Sequence, residues 1–234
     1  MLHRLLRRWE KAHQTGFRPV RMEGLEPRCL MSAVPAPMSF AATEGAKFNG
    51  SVAAFTSNDV GQPTAHQFIS AVDWGDGTSS MARVKADPSN PGRFLVMGQH
   101  KYADDGSYDV KVSVTDLVDG TQVNVDSEAQ VADAPLRASR KTVHASALKP
   151  LTAMVAQFHD FNRLAPIGDF TATIDWGDGS PVPSAGTVVA DGQGNFRVLG
   201  THTYATKGSF NITVTIVDTG GSFATVVSAA NVKL

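Results

Sequence analysis

Carboxylates recur in this sequence at fixed intervals. Asp73 and Asp76 stand in Asp73-Trp74-Gly75-Asp76-Gly77, and Asp175 and Asp178 stand in an unchanged copy, Asp175-Trp176-Gly177-Asp178-Gly179, 102 residues later. Asp104-Asp105 adds two acids to the first copy. Loop carboxylates gathered in this way suit calcium, which takes six to eight oxygen ligands. Asp73, Asp76, Asp175 and Asp178 are therefore the candidate metal set. Their spacing does not match an EF-hand loop, and an Asp capping its own turn accounts for Asp76 and Asp178 more economically. Asp116 and Asp218 recur as well. Each continues the parity of core-facing valines at a strand end, where a carboxylate must be hydrogen-bonded or leave the sheet. A cap on the following turn, Asp119-Gly120 or Gly220-Gly221, is the simple reading.

His100 and His202 occupy the same place in both copies, two residues before Tyr102 and Tyr204. A residue repeated in a duplicated unit is more often architectural than catalytic, so these histidines read as partners within the sheet or its corner. For nucleophilic chemistry there is no Gly-x-Ser-x-Gly elbow. No paired His or Cys falls at zinc-ligand spacing, and His144 and His159 read as surface residues. Asp191-Gly192-Gln193-Gly194-Asn195 is a hairpin turn, not a phosphate loop. Cys29 is the single cysteine; it excludes an internal disulfide, and the preceding Glu26-Pro27-Arg28 is unlike the small residues that precede a lipid-anchored cysteine. No catalytic residue emerges, and the expectation is a protein without enzymatic activity.

The elements that carry these residues read as strands. Phe170, Ala172, Ile174 and Trp176 alternate with Thr171, Thr173 and Asp175, and Phe68, Ser70, Val72 and Trp74 keep the same parity in the first copy. Period-two alternation places each Trp in a core and each following Gly-Asp-Gly in a tight turn. Tyr108, Val110, Val112 and Val114 alternate with Ser107, Asp109, Lys111 and Ser113 in a second strand. The 102-residue interval also relates Phe94 to Phe196, Tyr102 to Tyr204, Gly106 to Gly208 and Val112 to Val214. A period near 100 residues is one self-sufficient domain rather than a solenoid unit. Short alternating strands punctuated by Gly, Pro, Asp and Asn predict an all-β fold of two tandem antiparallel β-sandwiches.

The Asp-Trp-Gly-Asp-Gly turn, the later His-x-Tyr and the Gly-Ser-Tyr/Phe strand ending in Asp resemble PKD domains, the immunoglobulin-like sandwiches of bacterial surface proteins and secreted hydrolases. The resemblance covers nearly all of residues 38–234. It implies a spacer, adhesive or binding role. Asp104-Asp105-Gly106-Ser107-Tyr108 further resembles the tyrosine corner of immunoglobulin domains, whereas the second copy has Phe210 in place of Tyr108.

Net charge is −1, with 42% apolar residues, as for an ordinary globular chain. Residues 1–33 hold seven basic and three acidic residues, and the remainder is acidic, which argues against nucleic-acid binding by the two domains. Leu2, Leu5, Leu6, Trp9 and Ala12 fall at helical spacing opposite Arg4, Arg7, Arg8 and Lys11, a pattern shared by a basic amphipathic helix and a disordered tail. The apolar run of a conventional secretory signal is absent. Gly24-Leu25-Glu26-Pro27-Arg28-Cys29-Leu30-Met31-Ser32-Ala33 instead resembles the LEPR-XLL sorting segment, with Met31 in place of its last leucine, and implies export to the surface. The expected organisation is a leader over 1–33, a linker at 34–37 (Val34-Pro35-Ala36-Pro37), and domains over 38–133 and 134–234. No stretch approaches the roughly 20 apolar residues of a membrane span. The expected function is an exported or cell-surface module of adhesive, spacer or ligand-binding type, with an envelope protein or polysaccharide as partner and no cofactor other than the candidate calcium. The alternative is an accessory carbohydrate-binding protein, for which Phe158 with Phe161 is the best remaining aromatic pair.

Overall fold

The structure, a computed structural model, describes residues 33–59 and 62–234. The leader expectations, including the LEPR-XLL-like segment up to Ser32, lie outside the described residues. Sixteen strands and two single 3-10 turns, Ala65–Gln67 and Ile167–Asp169, make up the described elements. The first sandwich holds β1 (Ala33–Pro37), β2 (Ser39–Thr43), β3 (Phe48–Ser57), β4 (Phe68–Asp73), β5 (Ser79–Ala86), β6 (Arg93–His100), β7 (Gly106–Asp116) and β8 (Gln122–Ala132). The second holds β9 (Leu136–Arg140), β10 (Thr142–Ser146), β11 (Leu151–Asp160), β12 (Phe170–Asp175), β13 (Ser184–Gly192), β14 (Asn195–His202), β15 (Gly208–Asp218) and β16 (Phe223–Lys233).

Strand order is β1-β3-β6-β5-β4-β7-β8-β2 in the first unit and its counterpart, β9-β11-β14-β13-β12-β15-β16-β10, in the second. One strand in each unit crosses between layers. Residues Ser79–Ala82 of β5 pair with β4, and Arg83–Ala86 pair with β6, so a single continuous ladder folds over its own core. Pairing is antiparallel except at one edge of each unit, where β2 runs parallel to β8 and β10 parallel to β16. The chain reaches that edge by changing layers after β1 or β9. A buried serine serves the switch in each case: Ser127 Oγ accepts from Met38 N at 3.1 Å, and Ser228 Oγ accepts from Lys141 N at 2.9 Å.

Val34–Pro37, expected as a linker, is most of strand β1, paired antiparallel with β3. Its two prolines suggested an unpaired segment. They are tolerated because β1 is an edge strand with a single neighbour, so a missing N–H need cost no ladder bond.

The cores follow the alternation. Val110, Val112 and Val114 of β7 are buried between exposed or half-buried neighbours, as are Ile212, Val214 and Ile216 of β15. Three phenylalanines close one end of each core: Phe55 with Phe68 and Phe94, and Phe158 with Phe170 and Phe196, at ring separations of 4.5–5.3 Å. The other end of each core holds its Trp and Tyr.

Candidate functional site at the junction

The repeated pentapeptide builds one framework twice. Trp74 and Trp176 are buried, their indole N–H groups donating to Ser80 Oγ at 3.0 Å and Ser184 Oγ at 2.7 Å. His100 and His202 stack on these indoles at 4.5 and 4.7 Å. Each histidine donates from Nε2 to the turn acid, Asp76 or Asp178, at 2.7 Å. The other oxygen of each acid accepts from the backbone and hydroxyl of Thr78 or Ser180. Burial alone would raise these two carboxyls, but the bonds from Thr78 or Ser180 and from the histidine outweigh it and hold both below the ordinary range. Asp73 and Asp175 accept from Gly75 N and Gly177 N. Tyr102 and Tyr204 donate to the carbonyls of Trp74 and Trp176 at 3.3 Å. Burial pushes the phenol of Tyr204 up to about 12 and that of Tyr102 higher, so both remain donors at any physiological pH. Gly75 and Gly177, at φ +79° and +72°, let the turn rest against the backbone of Asp109 and Asn211. Gly77 and Gly179 take φ +85° to complete it. The four candidate metal acids of the turns are thus engaged as caps and as histidine partners.

Carboxylates gather elsewhere, where the two sandwiches meet. From the first come Glu44, after β2, and Asp104 and Asp105, before β7; carboxylate oxygens of all three lie within 4.8 Å of one another. Asp133 lies in the two-unit connection; in the second, Asp160 and Asp218 end strands β11 and β15, Asn162 follows β11, and Asp169 ends the 3-10 turn. Ala134 N donates to Glu44 Oε1 at 3.2 Å, Asn162 Nδ2 to the Ala103 carbonyl at 2.9 Å, and Ser222 N to Asp133 Oδ2 at 2.6 Å. Two glycines permit the approach. A side chain at Gly45 would meet Asn162 at 2.6 Å, and one at Gly220 would meet Asp133 at 2.7 Å and Asp105 Oδ1 at 2.9 Å.

The junction is head to tail. It uses the β6–β7 loop of the first sandwich and the β15–β16 loop of the second, which lie at opposite ends of the equivalent strands β7 and β15.

These acids are costly as they stand. Glu44 is 6% exposed and Asp160 is 0% exposed. Burial, reinforced by the charges of Asp133 and Asp160, raises the Glu44 carboxyl to about 7 against the Ala134 and Asn162 bonds. Burial, with the charges of Asp218 and Asp133 added, raises Asp160 to about 6, while the Asn162 amide and His159 act the other way. Burial also raises Asp169 and Asp218, each in the field of Asp133. Asp160 Oδ1 accepts from Asn162 N at 2.8 Å, but Oδ2 is buried without a hydrogen-bond partner. Among the described residues no salt bridge involves any of the seven acids.

No family model matches the chain, and no curated protein matches it. Solved structures do. An ICAM-5 D1-D4 ectodomain fragment is 10% identical over 86% of this chain and 53% of its own, with a TM-score of 0.42. A PcdhgB3 EC1-4 fragment is 14% identical over 86% of this chain and 49% of its own, at 0.35. An endo-fucoidan hydrolase of glycoside hydrolase family 107 is 15% identical over 90% of this chain and 30% of its own, at 0.32. The chain spans about half the length of the first two and less than a third of the last.

Other expected residues fall as follows. Asp116 caps its turn, accepting from Val118 N at 2.7 Å and from Gln67 Nε2 at 3.0 Å; Asp218 accepts from Gly220 N at 3.0 Å. Tyr108 donates to the Asp104 carbonyl at 2.9 Å and so ties down the loop that carries the junction acids, while Phe210 keeps only the ring stack on Tyr204. Phe158 and Phe161 are not a surface pair, because Phe158 is a core residue at 1% exposure and only Phe161 is exposed. The aromatic platform expected of the carbohydrate-binding alternative is thereby removed from that position. The sequence shows Asp104-Asp105 and the domain limit at 133/134, but nothing in it links them with Glu44, Asp160 or Asn162. The available signal was that Asp104-Asp105 sits opposite Thr206-Lys207, acids that the repeat does not repeat.

Proposed function

We propose that this chain is an exported, non-enzymatic protein of two PKD-like modules, acting at the cell surface as a spacer or adhesive element that presents a protein or ligand contact. The observation that carries this reading is the hydrogen-bonded head-to-tail junction. Ala134, Asn162 and Ser222 each donate across or into the connection, so the two sandwiches share one set of polar contacts. Such a junction spaces its ends at a fixed interval, a mechanical property useful to a surface module. Among the described residues, the two units repeat their turn framework without converging nucleophile, base and oxyanion donors, the constellation that a hydrolase requires. Export is supported by the resemblance of Leu25 to Leu30 to a sorting segment. Co-sedimentation of the full chain with bacterial envelope fractions and with insoluble polysaccharides tests the proposal. Retention on envelope is expected. Retention on a polysaccharide alone would replace it with the carbohydrate-binding alternative.

A further inference from the structure

The two far ends of this molecule supply an internal control for the junction. At the far end of the first sandwich, Gln67 Nε2 donates to Asp59 Oδ2 at 2.7 Å and to Asp116 Oδ2 at 3.0 Å, so a neutral amide satisfies both acids. The equivalent position in the second sandwich is Asp169, fixed by matching backbone bonds: Leu117 N to the Gln67 carbonyl at 2.8 Å and Thr219 N to the Asp169 carbonyl at 3.0 Å. Likewise Ser57 Oγ accepts from Asp59 N where Asp160 Oδ1 accepts from Asn162 N. At the far end of the second sandwich, Ala147 holds the place of Glu44, since Leu148 N and Gly45 N donate to the equivalent Tyr204 and Tyr102 carbonyls at 2.8 and 2.9 Å. Thr206-Lys207 there replaces Asp104-Asp105. Acid has therefore been placed at the junction on both sides, and the donor that would quench it has been replaced by another acid.

We propose that the junction is a calcium site, with Glu44, Asp104 and Asp105 as ligands from the first sandwich and the buried Asp160 as the acid that the second sandwich brings toward them. Two observations point to a cation independently. The first is the spacing of Glu44, Asp104 and Asp105, whose oxygens lie within 4.8 Å of one another; calcium–oxygen distances of about 2.3–2.6 Å place ligand atoms of one sphere no more than about 5 Å apart. The second is Asp160 Oδ2, fully buried and without a hydrogen-bond partner, on a carboxyl whose other oxygen accepts from Asn162 N, the residue that lies against Gly45 and bonds to the Ala103 carbonyl of the first sandwich. An all-carboxylate donor set suits a hard cation, and the absence of His or Cys from the cluster disfavours zinc. Bound calcium would offset mutual repulsion among acids contributed by both sandwiches and fix the angle between them.

The inference deepens the spacer reading and rests on the same junction. Its test needs no envelope partner, so a negative result here leaves the co-sedimentation result to stand by itself. The full chain, stripped with chelator, is titrated with calcium by calorimetry and melted with and without calcium at about 5 mM, above the ~0.1–1 mM dissociation constants of extracellular calcium modules. Saturable binding and a rise of several degrees in the thermal midpoint are expected. Asp105→Asn and Glu44→Gln should each weaken binding at least tenfold, and Asp126→Asn, on the solvent face of β8, should leave it unchanged. Circular dichroism in chelator checks that each variant is folded; Glu44→Gln, which removes a buried charge, should melt no lower than the parent there. Equal midpoints in calcium and chelator with no binding heat would overturn the proposal, as would binding that survives both junction variants. An equal response to magnesium would overturn the assignment to calcium.

Discussion

Gly98 has a backbone conformation open to any residue, yet its place is dictated by the neighbouring indole. A Cβ built there would lie 2.5 Å from Trp74 Cη2 and 3.1 Å from Val52 Cγ1. Carbon atoms pack best at about 3.5–4.0 Å, so the shortfall is about 1 Å against a ring that is 0% exposed and is held by Ser80 and His100. Overpacking of this kind costs about 1–3 kcal/mol, and the rigidity of both partners places Gly98→Ala at the upper end, about 2–3 kcal/mol. Trp74→Phe removes the offending outer ring and the bond to Ser80, and should cost about 3 kcal/mol alone. If the contact is the cause, the double variant should be less destabilised than the sum by about 1–2 kcal/mol. Urea unfolding followed by circular dichroism measures the cycle, with the unaltered second sandwich, carrying Gly200 and Trp176, as the internal reference. Additivity to within about 0.5 kcal/mol would refute the steric account.

Trp176→Ala should cost the second sandwich about 3–5 kcal/mol, the range for large core truncations; a loss below about 1 kcal/mol in the same urea assay would contradict the burial of the indole. Tyr108→Phe should destabilise the first sandwich by about 0.5–1.5 kcal/mol through loss of its bond to the Asp104 carbonyl, whereas Phe210→Leu in the second, where no hydroxyl is involved, should act through packing alone and leave no hydrogen-bond signature in hydrogen exchange. Asp178→Ala should cost about 1.5–3 kcal/mol at neutral pH, since its carboxylate accepts from Ser180 and His202. Its folded value lies below the ordinary 3.8, so that contribution is complete above the unfolded value and is lost as pH falls through the folded one. The difference between parent and variant midpoints should therefore be flat above about pH 4 and shrink below it.

The turn framework was legible because it is local and written twice. Trp74 and Trp176 sit on strands whose alternation fixes their face, and the Gly-Asp-Gly that follows leaves few conformations to choose from. The partnership of His100 with Asp76 needed the sheet, because β4 and β6 are joined only through β5, which changes layers midway. Val34–Pro37 was misread as linker because prolines weaken a strand pattern, and edge position is a property of the sheet rather than of the segment. The junction was hardest to see. Glu44, Asp105, Asp133, Asp160 and Asp218 come from five separate loops or strand ends, and each alone resembles an ordinary turn acid. What distinguishes them is that they gather without a basic partner among the described residues and that Glu44, Asp160 and Asp218 are buried, neither of which is written in the separate segments.

The head-to-tail geometry also bears on self-assembly. A heterologous contact repeated without closure generates open filaments, and two stacked copies of one fold invite a third. Another molecule added by the same operation would set Ala147, Thr206 and Lys207 against Ser57, Asp59 and Gln67. That meeting recreates none of the paired acids of the internal contact, and Asp59 is already satisfied by Gln67. The interface that joins the two sandwiches is therefore particular to the internal pair: because the duplicated ends have diverged, the same operation applied between molecules would not rebuild it.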